Sequence, residues 1–285
     1  MDFADKTVLI TGGTGSFGQA FSKHLAQSPP KKLIIFSRDW LKQKNLKDEL
    51  GDLPWVRFFI GDVRDKGRLR RALKGVDIVV HAAAIKDLPT CEYNPSEAML
   101  TNVTGTQNVI DVCIECGVSK SILISTDKAV NACNTYGKTK ALAESLWINA
   151  NKYAADDEIK FSVCRYGNVV NSAGSVVPIW RKMIDGGAKE LPLTDERMSR
   201  YWFPMSEAIN LVVDSLNKIQ GGEIFIPTMP SVWLKDVAAA FGKPYKVVGI
   251  REGEKLAEEI EPGRNSENNP WFLTVEQIRE TIKEI

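Results

Sequence analysis

The sequence predicts an α/β protein with a Rossmann-type, doubly wound parallel sheet and a smaller, loop-rich C-terminal substrate lobe. Short runs rich in β-branched and aromatic residues, such as TVLIT, KLIIFS and VRFFI, alternate with helical stretches up to about residue 170, and a glycine-rich loop follows the first run. Apolar strands that alternate with amphipathic helices favour a parallel sheet covered on both faces. We therefore assign residues 1–170 to a Rossmann domain.

The remainder of the chain differs in composition. The segments SAGSVVP, DGGAKELPLTD, GGEIFIPTMPS and EPGRNSENNP are rich in Gly, Pro, Ser and Asn, and only short helices are predicted between them. We assign residues 171–285 mainly to a lobe that packs on the carboxyl ends of the strands and binds the substrate. Part of this stretch is expected to return to the Rossmann domain.

Composition and charge exclude several classes of protein. The 285 residues carry 37 basic and 36 acidic side chains, so no global charge draws the chain to nucleic acid or to a membrane. The sequence shows neither a signal peptide nor an uninterrupted apolar run of about 18 residues, which favours a cytoplasmic protein. Its five scattered cysteines fit neither a disulfide framework nor a metal site, so we predict no metal.

The glycine-rich loop after the first strand predicts a dinucleotide site. It reads Thr11-Gly12-Gly13-Thr14-Gly15-Ser16-Phe17-Gly18 and leads into a predicted helix from about Ser16 to Ala26. Glycines permit a tight turn and a close approach of the backbone to a pyrophosphate, which the positive end of the helix dipole attracts. The expected cofactor contacts are Thr11, Gly12, Gly15, Ser16, Phe17 and Gly18.

The end of the second strand distinguishes the two nicotinamide cofactors. An acidic residue at this place binds a free ribose 2′-hydroxyl, whereas a cation favours the 2′-phosphate. Ser37, Arg38 and Lys42 offer a hydroxyl and two positive charges, which favours NADP(H). In the alternative, Asp39 binds the ribose of NAD, and the two cations are solvated surface charges.

Two further strand ends complete the predicted cofactor site. Asp62 and Val63 follow the third strand, where the Asp62 carboxylate can accept a hydrogen bond from the adenine amino group. Asp62 could equally be the N-cap of the next helix. After the fourth strand, the small residues Ala82, Ala83 and Ala84 allow the backbone to lie against the cofactor.

A tyrosine and a lysine four residues apart indicate alcohol chemistry. Tyr136 and Lys140 share one face of a predicted helix. An ammonium near a phenol lowers the pKa of the phenol, so that Tyr136 can take the proton of an alcohol during its oxidation. Upstream, Ser125 and Thr126 end a strand where a hydroxyl can bind the substrate oxygen. The combination predicts an enzyme.

In this order the motifs resemble those of the extended short-chain dehydrogenase/reductases, in which Asn102 of TNVTGT belongs to the cofactor site. A narrower resemblance is to the C5-inverting UDP-N-acetylglucosamine 4,6-dehydratases of pseudaminic acid biosynthesis. It is carried by TGGTGSFG, FSRDWLKQ, RFFIGDVRD, EYNPSEAMLTNVTGTQNVI, STDKAVNACNTYGKTK, RYGNVVNSAGSVVP, LPLTDERMSRYW, GGEIFIP and GIREGEKLAEE. The resemblance implies NADP(H), a UDP-sugar substrate, and a homodimer or larger homo-oligomer formed through helices near 102–118 and 136–152.

By this resemblance Asp127 and Lys128 carry the dehydration. Oxidation at C4 of the sugar makes a ketone that acidifies the C5 hydrogen; a base then removes that proton while an acid assists departure of the C6 hydroxyl. The resemblance implies that Lys128 is the base and Asp127 the acid. The hypothesis requires that burial or a neighbouring cation lower the pKa of Lys128.

The resemblance also implies contacts with the nucleotide sugar. Asn168 and Arg200 correspond to contacts with the sugar diphosphate, and Arg251 and Glu254 to contacts with phosphate and ribose. An Arg suits a phosphate because its guanidinium can donate two parallel hydrogen bonds. The full predicted substrate-binding set is Lys86, Asn168, Val176, Arg200, Arg251 and Glu254.

Several positions near the expected sugar pocket depart from the family pattern. Asp87 and Ala257 stand where a His is common, Ala173 stands where an Arg is common, and Ala132 and Cys133 replace a Pro and an aliphatic residue. A stretch of the family pattern is also missing between EIE and ENNPW.

These departures leave three alternatives to a complete dehydratase. The first is an enzyme of partial reaction, which reduces or isomerises a UDP-6-deoxy-HexNAc-5,6-ene. The second is a UDP-sugar 4-epimerase, which has no need of the Asp127-Lys128 pair. The third is a non-catalytic NADP-sensing protein, against which the intact Thr126, Tyr136 and Lys140 argue.

Overall fold

The computed structural model describes residues 2–154 and 159–283, and its centre is a seven-stranded parallel sheet. The strands of the chain are β1 (Thr7–Thr11), β2 (Lys32–Ser37), β3 (Val56–Ile60), β4 (Ile78–His81), β5 (Lys120–Thr126), β6 (Lys160–Tyr166), β7 (Asn168–Val169), β8 (Leu191–Leu193), β9 (Ser199–Phe203), β10 (Ile224–Phe225), β11 (Ser231–Trp233), β12 (Tyr245–Val247), β13 (Glu259–Glu261) and β14 (Arg264–Asn265). The central sheet has the order β10-β6-β5-β4-β1-β2-β3. This order confirms the predicted Rossmann-type architecture.

Eleven helices connect the strands within the described residues. They are α1 (Ser16–Gln27), α2 (Trp40–Leu50), α3 (Lys66–Leu73), α4 (Leu88–Tyr93), α5 (Pro95–Met99), α6 (Gly105–Glu115), α7 (Thr135–Asn149), α8 (Val176–Asp185), α9 (Met205–Lys218), α10 (Leu234–Ala240) and α11 (Val275–Lys283). A π-helical segment (Leu100–Thr104) joins α5 to α6, and 3₁₀ turns follow β5 (Asp127–Ala129) and α7 (Ala150–Lys152). Side chains of Asp39, Asp65 and Asn134 cap α2, α3 and α7.

Alternate side chains of each central strand enter opposite hydrophobic layers. In β1, Val8 and Ile10 face the layer that contains Phe21 of α1, whereas Leu9 faces the layer that contains Trp147 of α7. All five residues of β1 are buried. Successive side chains of a strand point to opposite faces, so a sheet covered on both sides reads in sequence as a continuous apolar run.

The chain beyond residue 170 contributes to two places in the fold. Helix α9 packs in the same hydrophobic layer as α1, and β10 pairs with β6. A separate apolar cluster gathers Trp180 of α8, Trp202 of β9 and Ile278 of α11. The prediction of only short helices here is wrong, because α8 has 10 residues and α9 has 14.

Within the ranges that the structure describes, no helix combines the length and the apolar character needed to cross a membrane.

Trp147 provides a test of the layer between α7 and the sheet. Its ring is fully buried, stacks on His81 at 5.4 Å between ring centres and meets Phe161 edge-on. We expect Trp147→Ala to lower the free energy of unfolding by about 3–5 kcal/mol, since it removes a large buried side chain and leaves a cavity. Denaturant unfolding measures the change.

The matched control is Trp40→Ala, because the Trp40 side chain is 63% exposed at the start of α2. A surface substitution changes the free energy of unfolding by about 0.5 kcal/mol or less. Equal losses in the two variants would contradict the description of this layer.

Candidate active site

The glycine-rich loop between β1 and α1 lies directly against the end of β4. Gly12 has a φ of +65°, and a Cβ at this position would lie 2.8 Å from the backbone of Ala82 and Ala83. Gly18 also allows a close approach, since a Cβ there would lie 2.5 Å from the Cα of Gly13. Any side chain at these positions would push the loop, the helix and the strand apart.

The first turn of α1 is available to an anion. Its N-cap residue is Gly15, and no side chain caps the helix. Backbone N–H groups at such a helix end attract a phosphate, so the residues present fit the pyrophosphate of a dinucleotide. The Ser16 hydroxyl accepts a hydrogen bond from the backbone N–H of Ala173 at 2.9 Å, which joins this turn to the C-terminal part of the chain.

The residues after β2 have distinct roles. Arg38 and Lys42 are exposed, with the Arg38 guanidinium 3.7 Å from the Asp62 carboxylate. Ser37 is buried, and its hydroxyl accepts a hydrogen bond from the Gln43 side chain at 3.0 Å. Asp39 accepts a hydrogen bond from the backbone N–H of Lys42 and thereby caps α2. Of these four residues, Arg38 and Lys42 are the two that are exposed and neither buried in the turn nor used as a helix cap.

Asp62 is not a helix cap. The N-cap of α3 is Asp65, so that alternative for Asp62 is wrong. The Asp62 carboxylate accepts hydrogen bonds from both the backbone and the guanidinium of Arg64. Partial burial raises the pKa of Asp62, but the Arg64 hydrogen bonds outweigh it and hold the pKa below its usual value. Asp62 is therefore a charged acceptor beside Arg38.

Val63 and Asn102 support the site from within the protein. Val63 is buried beneath Gly105, where a Cβ would lie 2.6 Å from the Val63 side chain. The Asn102 amide is also buried; it accepts from Ile85 N–H at 2.8 Å and donates to Ile85 O at 2.9 Å and to Thr139 at 3.0 Å. Asn102 thus fixes the loop after β4, including Ala84, against α7.

A close backbone contact brings Tyr136 to the end of β5. A Cβ at Gly137 would lie 2.2 Å from the backbone oxygen of Lys128, so glycine allows α7 to begin against the turn that follows Thr126. The Thr126 hydroxyl lies near the Tyr136 phenol and acts to lower the pKa of Tyr136. The Thr126 hydroxyl in turn donates to the Asp127 carboxylate at 3.0 Å.

The predicted effect of Lys140 on the pKa of Tyr136 stays a prediction, because the Lys140 amine has a backbone partner in this structure. Burial raises the pKa of Tyr136 to about 12, and the charge that opposes this rise is the ammonium of Lys128. Lys140 instead donates a hydrogen bond to the backbone oxygen of Ile124 at 2.7 Å, and burial lowers the pKa of Lys140 to about 8. The i, i+4 spacing placed both residues on α7 but did not reveal the competing carbonyl.

Lys128 lies between two buried carboxylates. Its amine is 3.1 Å from Asp127 Oδ1, 3.1 Å from Asn168 Oδ1 and 3.3 Å from Glu258 Oε1. Burial lowers the pKa of Lys128, but Asp127 and Glu258 together raise it above its usual value. The lowered pKa that a base role requires is therefore not found, and Lys128 is an ammonium here.

Glu258 was not identified from the sequence. It is 2% exposed, yet it stands in the charged stretch REGEKLAEEIE, which has the composition of a solvated surface. The available signal was that this stretch lies within a segment shared with the dehydratases, although nothing in its spacing relates Glu258 to Lys128.

The predicted substrate residues fall into two groups. Asn168, Val176 and Arg200 line one small cavity next to Lys128. The buried Arg200 guanidinium donates to the backbone oxygens of Ser199, Lys255 and Leu256, so it also anchors the segment that carries Glu258.

Arg251 and Glu254 form an ion pair nearer the surface, and Arg251 is exposed.

The Lys86 amine is 3.4 Å from the Ser172 hydroxyl. Removal from water and the nearby Lys128 ammonium lower the pKa of Lys86. Lys86 is therefore close enough to Lys128 for the two positive charges to repel each other.

Two of the unusual positions have local structural roles. Asp87 caps α4 by accepting a hydrogen bond from Thr90 N–H at 3.0 Å. The exposed Cys133 directs its thiol to the backbone oxygen of Gly253 at 3.5 Å.

The chain is similar to several known proteins over most of its length. The family model described as polysaccharide biosynthesis protein matches residues 8–277. The UDP-N-acetylglucosamine 4,6-dehydratase (inverting) of Campylobacter jejuni is 50% identical over 259 residues, 90% of this chain and 77% of that protein. The UDP-glucose 4-epimerase of Rickettsia akari is 41% identical over 268 residues, 90% of this chain and 78% of that one. The structure of Pen from Bacillus thuringiensis is 33% identical, covers 100% of both chains and has a TM-score of 0.93.

The low pKa of Lys140 predicts a pH dependence of stability. The pKa is about 8 in the folded protein and 10.5 for an ordinary lysine, so between these values the unfolded chain binds more protons than the folded one. The free energy of unfolding should therefore rise with pH across this window. We expect Lys140→Met to lose this rise, which amounts to roughly 3 kcal/mol.

Urea unfolding of both proteins at several pH values measures this difference. Lys138→Met, which removes an exposed lysine from the same helix, is the control and should parallel the wild type. Parallel curves for Lys140→Met and the wild type would show that Lys140 has an ordinary pKa.

Proposed function

The chain belongs to the polysaccharide biosynthesis protein family, among the extended short-chain dehydrogenase/reductases, and on that premise we propose that it is an NADP-dependent 4,6-dehydratase of a UDP-N-acetylhexosamine. The product is a 4-keto-6-deoxy sugar with inverted C5, an intermediate suited to deoxy-amino-sugar pathways such as that of pseudaminic acid. The 50% identity to a UDP-N-acetylglucosamine 4,6-dehydratase (inverting) supports this substrate and reaction.

One structural observation carries the proposal. A series of contacts runs from Tyr136 through Thr126 and Asp127 to Lys128, and on to Glu258. Tyr136 suits the oxidation of an alcohol, and the group of carboxylates and amine suits the elimination of water. A 4-epimerase needs only the first of these two parts.

The residues of the chain divide the work between C4, C5 and C6 of the sugar. A bound nicotinamide supplies the oxidation at C4 and the later reduction at C6. Tyr136 takes the C4 hydroxyl proton, with Thr126 in contact with the same oxygen. Lys128, as a free amine, takes the C5 proton, and Asp127 gives a proton to the departing C6 hydroxyl, which leaves as water.

The burial of Asp127 and a free oxygen of its side chain support this acid role. Its side chain is fully buried, and within the described part of the chain its Oδ2 has no hydrogen-bond partner. A buried acceptor without a partner in the protein is available to a hydroxyl group of the substrate. The Lys128 amine also donates a hydrogen bond to the Asn168 side chain at 3.1 Å.

The choice of NADP rests on the residues after β2. Asp39, the residue that would hold a free ribose hydroxyl, is engaged as the N-cap of α2. Arg38 and Lys42 are exposed beside it and can bind a 2′-phosphate. The buried Ser37 is held by Gln43 and supports the turn instead of contributing a free hydroxyl.

A second candidate function is the partial reaction on a UDP-6-deoxy-HexNAc-5,6-ene. Two observations favour it. Asp87, which replaces a His of the family, is committed to capping α4, and the pKa of Lys128 is raised by its two carboxylates. An ammonium at Lys128 can protonate C5 of an alkene without first losing a proton.

We also propose a homodimer. Tyr93, Met99 and Leu142 are 88%, 50% and 50% exposed on α4, α5 and α7. A group of exposed apolar side chains on neighbouring helices is typical of a subunit interface.

Incubation with UDP-N-acetylglucosamine and NADP in D₂O tests the reaction. We expect NMR to show a 4-keto-6-deoxy product that carries deuterium at C5, because the base exchanges its proton with solvent before C5 is protonated from the opposite face. Tyr136→Phe should form no ketone, since C4 oxidation then lacks its proton acceptor. No conversion of UDP-N-acetylglucosamine together with consumption of the 5,6-ene would establish the partial reaction instead.

Binding of the two cofactors tests Arg38. We expect Arg38→Ala to raise the Kd for NADP by about tenfold or more, the usual result of losing a charged hydrogen bond, and to leave the Kd for NAD within about twofold. Isothermal titration measures both constants. The control is Lys44→Ala, which removes an exposed cation of the nearby helix α2 that pairs with Asp48. An equal effect on both cofactors would exclude a 2′-phosphate contact.

A further inference from the structure

Glu258 is a buried carboxylate that the proposed chemistry has not yet used. It lies 130 positions along the chain from Lys128, yet its Oε1 is 3.3 Å from the Lys128 amine. Within the residues that the structure describes, its Oε2 has no hydrogen-bond partner. Burial of a charged carboxylate is strongly unfavourable unless a partner compensates it. The partner here is Lys128.

The segment that carries Glu258 is rigidly held. The Glu258 N–H donates to the Ser266 hydroxyl at 3.0 Å, and Ser266 N–H donates to the Glu258 backbone oxygen at 2.8 Å. The Arg200 guanidinium binds the backbone oxygens of Lys255 and Leu256 just before it. The side chain is therefore directed at Lys128 by the fold and not by chance contact of a flexible loop.

Charged and titratable groups face this pair from several elements. Asp127 adjoins Lys128 on the turn after β5, and Lys255 is 3.9 Å from Glu258 Oε2. The remaining groups that act on Lys128 or respond to it are Arg200 of β9, Lys86 after β4 and Tyr136 of α7. The two carboxylates in contact with the amine outweigh the cations, so the pKa of Lys128 is raised.

We propose that Glu258 is a positioning residue that shares the proton of Lys128. The proton passes from Nζ to Oε1 across 3.3 Å. An N–H bond breaks and an O–H bond forms, so that ammonium and carboxylate become amine and carboxylic acid. The net charge of the pair does not change, so the step leaves no uncompensated charge in the buried site. The amine is then free to take a proton from carbon.

Only the last step, removal of the C5 proton, rests on the proposed function. The pairing itself is a property of the protein without substrate. It can therefore be tested separately.

The first experiment measures the protonation of Lys128 directly. The folded protein is labelled with a trace of acetic anhydride at a series of pH values, and the Lys128 peptide is quantified by mass spectrometry. In Glu258→Gln we expect the pH of half-maximal labelling to fall by about one to three units, since a carboxylate in contact with an amine raises its pKa by that amount. An unchanged labelling profile would overturn the proposal.

Two variants make this result specific. Glu259→Gln is the matched control, because the Glu259 carboxylate binds Asn131 and the Gly263 N–H instead of Lys128. It should label as the wild type does; an equal shift in this variant would contradict the pairing. Glu258→Asp keeps the charge but shortens the side chain, and covers the case in which Glu258→Gln does not fold. It should shift labelling in the same direction by a smaller amount, and no shift would overturn the proposal.

The second experiment follows deuterium incorporation at C5 against pH. In Glu258→Gln we expect the rise of the incorporation rate with pH to begin at lower pH, as the labelling midpoint does. The maximum rate of incorporation should fall because the proton acceptor is lost. A lower incorporation rate that still rises over the same pH range as in the wild type would indicate a merely structural role and contradict the proposal. If the wild type shows no turnover, the dehydratase function fails, while the labelling result still decides the role of Glu258.

Discussion

The candidate site depends on one property of a parallel sheet, which is that all its strands end at the same edge. Gly12 follows β1, Arg38 follows β2, Asp62 follows β3, Ala82 follows β4 and Thr126 ends β5. The sheet therefore brings together residues more than 100 positions apart, such as Gly12 and Thr126, because their strands end at the same edge. The same arrangement buries the strands on both faces, which is why the apolar runs and the functional residues alternate along the chain.

A second constraint is electrostatic and concerns Lys128. A lone charge in this buried place would be strongly unfavourable, so the ammonium is matched by Asp127 and Glu258 on two sides. This compensation stabilises the folded state but also holds the proton on the amine. Thr126 connects this charged group with the catalytic tyrosine, because its hydroxyl donates to Asp127 and lies near the Tyr136 phenol.

The sequence predicted the strands and the glycine loop because their signals are local. TVLIT is a buried strand, and Gly12 has the positive φ that only a glycine adopts easily. Protonation could not be predicted in the same way. The spacing of Tyr136 and Lys140 gave a shared helix face, but the bond from Lys140 to Ile124 O depends on how α7 packs on β5. Glu258 stands in a charged stretch, and only the tertiary fold buries it.

The anchor of that stretch connects substrate binding with proton chemistry. Arg200 is both a predicted diphosphate contact and the residue whose guanidinium holds the backbone oxygens of Lys255 and Leu256. Any ligand that draws this guanidinium away from those oxygens weakens the hold on the segment that directs Glu258 at Lys128. A phosphate at Arg200 would also replace carbonyl partners with a stronger, charged one. Arg200 therefore links the predicted diphosphate contact, through a single side chain, to the segment that directs Glu258 at Lys128.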